Sequence, residues 1–120
     1  MSDSRTIDHL ENVVKEFCEI RDWNQYHNPK DLAIGISTEA NELLELFRFK
    51  TDNEIDTIMK NSDKMEDIEN ELADIFFFIL RFAQLNKIDL ETVLKRKLKL
   101  NNEKYPAKLS KGSNKKYNEL

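Results

Sequence analysis

Two acidic pairs stand at helical spacing in this chain, Glu39-Ala-Asn-Glu42 and Glu71-Leu-Ala-Asp74, with Glu45 one step further along the first. Residues three apart occupy neighbouring positions on one helix face. At about 100° per residue, Glu39 falls in the middle of the apolar stripe made by Leu32, Ile36 and Leu43, and Glu42 falls on its shoulder. Glu71 and Asp74 share a helix side with Phe78 and Leu85. A carboxylate buried unpaired in such a stripe is costly or takes up a proton. Two antiparallel helices would gather all four carboxylates, and their mutual repulsion calls for a cation among them. Oxygen-only ligation completed by water suits Mg²⁺, with Mn²⁺ as the alternative. A di-iron carboxylate bundle would need Glu-x-x-His pairs, and neither His9 nor His27 is so placed. The bland alternative is two solvated faces stitched by intrahelical ion pairs. Composition and periodicity stop at an acidic metal site in a helical bundle.

The elements that must position these residues are helices. Ile7, Leu10, Val13, Val14, Phe17 and Ile20 recur at helical spacing and define the first. Asn28-Pro29 reads as a cap followed by proline at the first helical position, starting a second helix that runs to about Lys50. Thr51 to Ser62 is polar and predicts a loop, with a short turn of helix around Ile55 to Met59. Asp63 with Glu66 predicts a capping box for a third helix reaching about Asn86. The centre of that helix, Ile75 to Leu80, is apolar all round, which predicts cover from a partner subunit. Asp89 caps a fourth helix ending near Tyr105-Pro106. The Lys-, Asn- and Ser-rich stretch after it reads as a disordered tail. The expectation is an all-α, four-helix bundle-type protomer over residues 1–108, a polar tail over 109–120, and a homodimer or homotetramer.

Composition narrows the function. With only 2 Gly and 2 Pro in 120 residues, a β-rich fold lacks its turns. A net charge of −4 argues against a nucleic-acid binder. If the partner is an anion, a divalent cation is the device that attracts it. The lone Cys18 rules out an internal disulfide and fits a reducing cytoplasm. The longest apolar run is too short for a membrane span.

The ordered set of motifs resembles the MazG-like nucleotide pyrophosphohydrolases, with the dCTP pyrophosphatase type nearest. Arg21-Asp22-Trp23 and His27-Asn28-Pro29 come first, then the two acidic pairs, then Lys97-x-x-x-Asn101 and Lys104-Tyr105-Pro106. The resemblance covers about residues 7 to 107. It implies Mg²⁺-dependent hydrolysis of a (deoxy)nucleoside triphosphate to the monophosphate and pyrophosphate. By that resemblance Glu39, Glu42, Glu71 and Asp74 hold metal, and Glu42 or Glu39 orients the attacking water. Lys97 and Asn101 match positions that contact the phosphates and sugar, and Trp23 and His27 match the base pocket. Phe78 and Phe49 stand where dCTP-preferring members often carry Tyr and Trp. Both departures spare the acidic set and bear on the choice of base.

Two other readings remain open. One is a dUTPase-like relative with the same metal chemistry and another base. The other is a catalytically idle bundle serving protein interaction or regulation.

Overall fold

The computed structural model describes residues 6–119. Among them are six α-helices and no strand: α1 (Ile7–Ile20), α2 (Pro29–Glu45), α3 (Asp52–Lys60), α4 (Ser62–Leu85), α5 (Leu90–Lys104) and α6 (Ala107–Ser110). The chain divides into two units, Met1–Lys87 and Ile88–Leu120. No described helix is long and apolar enough to cross a membrane.

The starts of the longer helices are written into single side chains. Thr6, Asn28, Thr51, Asn61 and Asp89 each accept a backbone N–H from the first turn of the helix that follows. Such a contact satisfies one of the donors a helix leaves orphaned at its N-terminus. Pro29 follows Asn28 as expected.

Two boundaries differ from expectation. The second helix stops at Glu45 rather than near Lys50, because the chain turns through Phe49, which adopts the left-handed conformation at φ 62°. The predicted polar loop instead contains α3, closed at its start by a reciprocal capping box between Thr51 and Glu54. Asn61, not Asp63, then caps α4.

In the first unit α4 is the central helix, packed against α2, α1 and α3. Gly35 of α2 lies against Phe78, while Glu45 and Leu46 share a cavity wall with Lys64 and Ile68. Rising numbers on α2 therefore meet falling numbers on α4, and the two helices run antiparallel. The buried apolar core is small: Cys18, Leu32, Ile68, Leu80 and Ala83. Phe76, within the stretch that is apolar all round, remains exposed, as does Leu72 one turn before it on α4.

In the second unit, Asp89 Oδ1 accepts from Thr92 N–H at 3.1 Å to open α5. After α6, a short 3-10 turn at Tyr117–Glu119 sets Tyr117 edge-on to Tyr105, ring centroids 6.1 Å apart.

Candidate active site

The antiparallel pairing of α2 and α4 brings Glu39, Glu42 and Glu71 together, with one carboxylate oxygen from each lying within 4.8 Å of the others. Glu39 and Glu71 are half-buried and Glu42 is exposed. Oε2 of Glu39 and Oε2 of Glu71 are shielded from water and have no hydrogen-bond partner. Asp74 lies outside this set of three and is exposed, yet its charge reaches both Glu39 and Glu71. Glu45, next along the acidic series, is taken up by Arg48 at 3.0 Å. The series thus separates into clustered carboxylates and one ordinary surface ion pair.

The electrostatics follow from that crowding. Burial, reinforced by contact with Glu42 and by the charge of Asp74, pushes the Glu39 carboxyl up to about 7. Burial and then Glu42 push Glu71 upward as well. An oxygen-only cluster with two orphaned, water-shielded oxygens fits a hard divalent cation, which would satisfy both and offset the repulsion. No histidine belongs to the cluster.

One end of this helix pair carries the aromatic residues. Asp22, in left-handed backbone at φ 53°, terminates α1. Asp22 N–H donates to the Glu19 carbonyl and Trp23 N–H donates to the Cys18 carbonyl, both at 3.0 Å. This is the reciprocal closure of a Schellman turn. It delivers Trp23, whose ring stands edge-on to Phe17 at 5.6 Å and to His27 at 6.2 Å. His27 is half-buried and its imidazole is held below its usual pKa by burial and by Arg81. Phe78 lies against bare backbone at Gly35, one helical turn beyond Asp74.

The other end carries a cavity of about 520 Å³ among α2, α3 and α4, lined by Glu45, Lys50, Asn53, Thr57, Lys64 and Ile68 among others. Trp23 and Phe49 lie beyond opposite ends of α2, a helix about 25 Å long by its rise of about 1.5 Å per residue. One chain therefore does not bring them to a common point. Lys97 and Asn101 lie on α5 of the second unit, Lys97 exposed and Asn101 half-buried.

Arg81 escaped the sequence reading. It is the one buried charged residue among those described, and it bonds His27, Gln84 and Asn24. Its signal was present: a charge inside the apolar run Phe78-Ile-Leu-Arg-Phe-Ala83, as out of place there as Glu39 in its own stripe.

Fold and site together define an all-α protein with a cluster of carboxylates, able to hold a cation, between antiparallel helices. Comparison with known proteins makes the class specific. Residues 34–120 match the MazG-like family. The chain is 32% identical to dCTP pyrophosphatase 1 of Homo sapiens over 115 residues, 96% of this chain and 68% of that protein. It is 32% identical to dCTP pyrophosphatase 1 of Bos taurus over 119 residues, 99% of this chain and 70% of that one. Among solved structures, a pyrophosphatase from Archaeoglobus fulgidus superimposes with a TM-score of 0.78 at 31% identity, covering 88% of this chain and 97% of its own. The chain belongs to the MazG-like family, and it is a pyrophosphohydrolase, an enzyme that hydrolyses acid anhydrides.

Proposed function

We propose that this protein hydrolyses a (deoxy)nucleoside triphosphate to its monophosphate and pyrophosphate in a Mg²⁺-dependent reaction, and that it serves nucleotide-pool control. The observation that carries the reading is the convergence of Glu39, Glu42 and Glu71 with two orphaned, water-shielded oxygens. These three carboxylates hold the cation, and Asp74 completes the set from its margin. A divalent cation bound there would offset charge on the phosphates and lower the pKa of a coordinated water. Glu42 is exposed and can accept a proton from an attacking water, with Glu39 as the other candidate.

Trp23 and His27 take the base, Trp23 as a flat face on which a ring stacks. Lys97 and Asn101 contact the phosphates and sugar. Likeness to the dCTP pyrophosphatases of Homo sapiens and Bos taurus favours a dCTP-like substrate. Phe78 offers no hydroxyl at its position, so any preference must come from the base pocket itself.

The working form is a homodimer or homotetramer in the cytoplasm. Leu72 and Phe76 leave an apolar strip on α4, and Phe49 is 89% exposed. A second chain covers the strip and brings its own Phe49 to the Trp23 end of the first. That arrangement accounts for two aromatic residues that one protomer holds apart.

The test is pyrophosphate release from a panel of canonical and modified nucleoside triphosphates, with Mg²⁺ and with EDTA, for wild type and Glu42→Gln. Cation-dependent release, lost in the variant, is the expected result. A folded protein that releases nothing, and whose stability ignores Mg²⁺, would leave the idle interaction bundle as the better account.

A further inference from the structure

Arg81 is 1% exposed and sits about two helical turns beyond Asp74 on α4. Its Nε–H donates to Nδ1 of His27 at 3.0 Å, its Nη1 to Oε1 of Gln84 at 2.7 Å, and its Nη2 to Oδ1 of Asn24. Gln84 in turn donates through Nε2 to the Glu11 carbonyl at 2.7 Å, tying the group to α1. All three acceptors on Arg81 are neutral. An aliphatic side chain of similar length would fill the volume without burying a charge, so bulk alone does not explain an arginine here.

The bond to His27 carries chemical information. A guanidinium only donates and does not lose its proton in proteins. Nδ1 of His27 must therefore be the bare lone pair, and the ring proton must sit on Nε2. A doubly protonated ring would set N–H against N–H, so the same contact holds the imidazole neutral. The second arm of Arg81 grips Asn24, the residue next to Trp23. One cation thereby anchors both segments that carry the Trp23–His27 ring pair.

We propose that Arg81 is a positioning residue for the nucleotide: it fixes His27 as the neutral Nε2–H tautomer, so that Trp23 offers the base a flat face and His27 offers it a hydrogen-bond donor at Nε2. This rests on the reading of Trp23 and His27 as the base-contacting residues. The matching ligand atom is an acceptor on the base edge, a carbonyl oxygen or an unprotonated ring nitrogen.

Long-range ¹H–¹⁵N correlation of the imidazoles in labelled, substrate-free protein at neutral pH decides the tautomer. Wild type is expected to show Nε2 protonated and Nδ1 bare, a pattern lost in Arg81→Met and largely kept in Arg81→Lys. An Nδ1–H ring or an even mixture in wild type overturns the proposal, whatever the enzyme does. Kinetics of pyrophosphate release supply the second arm. Arg81→Met is expected to raise KM about five- to tenfold, the worth of roughly one hydrogen bond, with kcat retained. His27→Asn, whose amide reaches only the Nδ1 position, is expected to raise KM more than His27→Gln, whose amide N–H reaches towards Nε2. If Arg81→Met does not fold, the spectrum of Arg81→Lys and the His27 pair carry the test. A changed tautomer with unchanged KM would leave Arg81 merely structural and overturn the positioning role. Wild-type protein that releases no pyrophosphate would instead overturn the proposed function, and the nucleotide role of Arg81 with it, while the spectrum still reports the tautomer.

Discussion

The ring of Phe78 occupies the space that a side chain at Gly35 would need: a Cβ built there meets three ring atoms at 2.6, 2.6 and 2.8 Å. The closeness of α2 and α4 beside the acidic cluster depends on this bare backbone. Gly35→Ala gains up to about 1 kcal/mol of helix propensity and loses about 1–3 kcal/mol to overpacking. The expected outcome is net destabilisation by chemical denaturation, relieved in the double variant with Phe78→Leu. A more stable Gly35→Ala would show that the helices separate freely.

The Glu39 carboxyl makes metal-free stability depend on pH. Its folded pKa of about 7 lies above the ordinary 4.5, so between those values the folded state holds a proton that the unfolded state has released. Stability is then fully present below about pH 4.5 and is lost as pH rises towards 7. Thermal melts of EDTA-treated protein should show this fall, and Glu39→Gln should flatten it. Added Mg²⁺ should raise Tm more at pH 8 than at pH 5, because ligation needs the carboxylate form. Equal gains at both pH values would count against Glu39 as a ligand.

His27 bends the profile the other way. Its pKa is lowered from the ordinary 6.5 by burial and by Arg81, so the unfolded state takes up a proton first as pH falls. Its contribution is therefore present above pH 6.5 and lost below it. Comparing the acid limb of the wild-type profile with that of His27→Gln isolates the effect. Superimposable limbs would mean that the imidazole is not held neutral.

Thr51 and Glu54 close α3 reciprocally, each bond 3.2 Å long. Thr51→Ala should cost about 1 kcal/mol by denaturant unfolding, while Thr51→Ser should be nearly silent. A silent Thr51→Ala would show that α3 is held by its packing on α4 rather than by its cap.

Phe49 combines left-handed backbone with an 89% exposed ring beneath the Arg48 guanidinium. Phe49→Gly relieves about 1–2 kcal/mol of backbone strain and offsets part of it through unfolded-state freedom. Denaturation of dilute protein should therefore show no loss of stability. The same variant should raise KM if the ring of a second chain meets the base. An unchanged KM would remove Phe49 from the site.

Much of this was legible in the chain because the decisive residues break a pattern. Glu39 stood out as a charge in an apolar stripe, and Asn28-Pro29 and Asp89 announced their helices directly. α3 was harder to read. Its apolar residues Ile55, Ile58 and Met59 fill too few turns for periodicity to speak, and Asn61 serves both as the end of α3 and the cap of α4. Asp63 with Glu66 matches a capping box by composition alone, whereas the cap in use depends on where the preceding helix ends. Arg81 shows a different limit. Its chemistry lies in contacts to Asn24 and His27, far away in the chain, which no local spacing reveals.

Glu39 and Glu71 of the acidic cluster lie inside α2 and α4 and Glu42 in the last turn of α2, whereas Trp23, His27 and Phe49 lie beyond the ends of α2. Mid-helix positions are held from both sides by neighbouring turns and by the opposing helix, so substitutions there disturb the whole pair. Positions just outside a helix answer mainly to their own turn. On the proposed assignment, the two halves of the task are separable in evolution: a lineage could drift from one base to another by editing the segments at the helix ends while the carboxylate cluster stays unaltered.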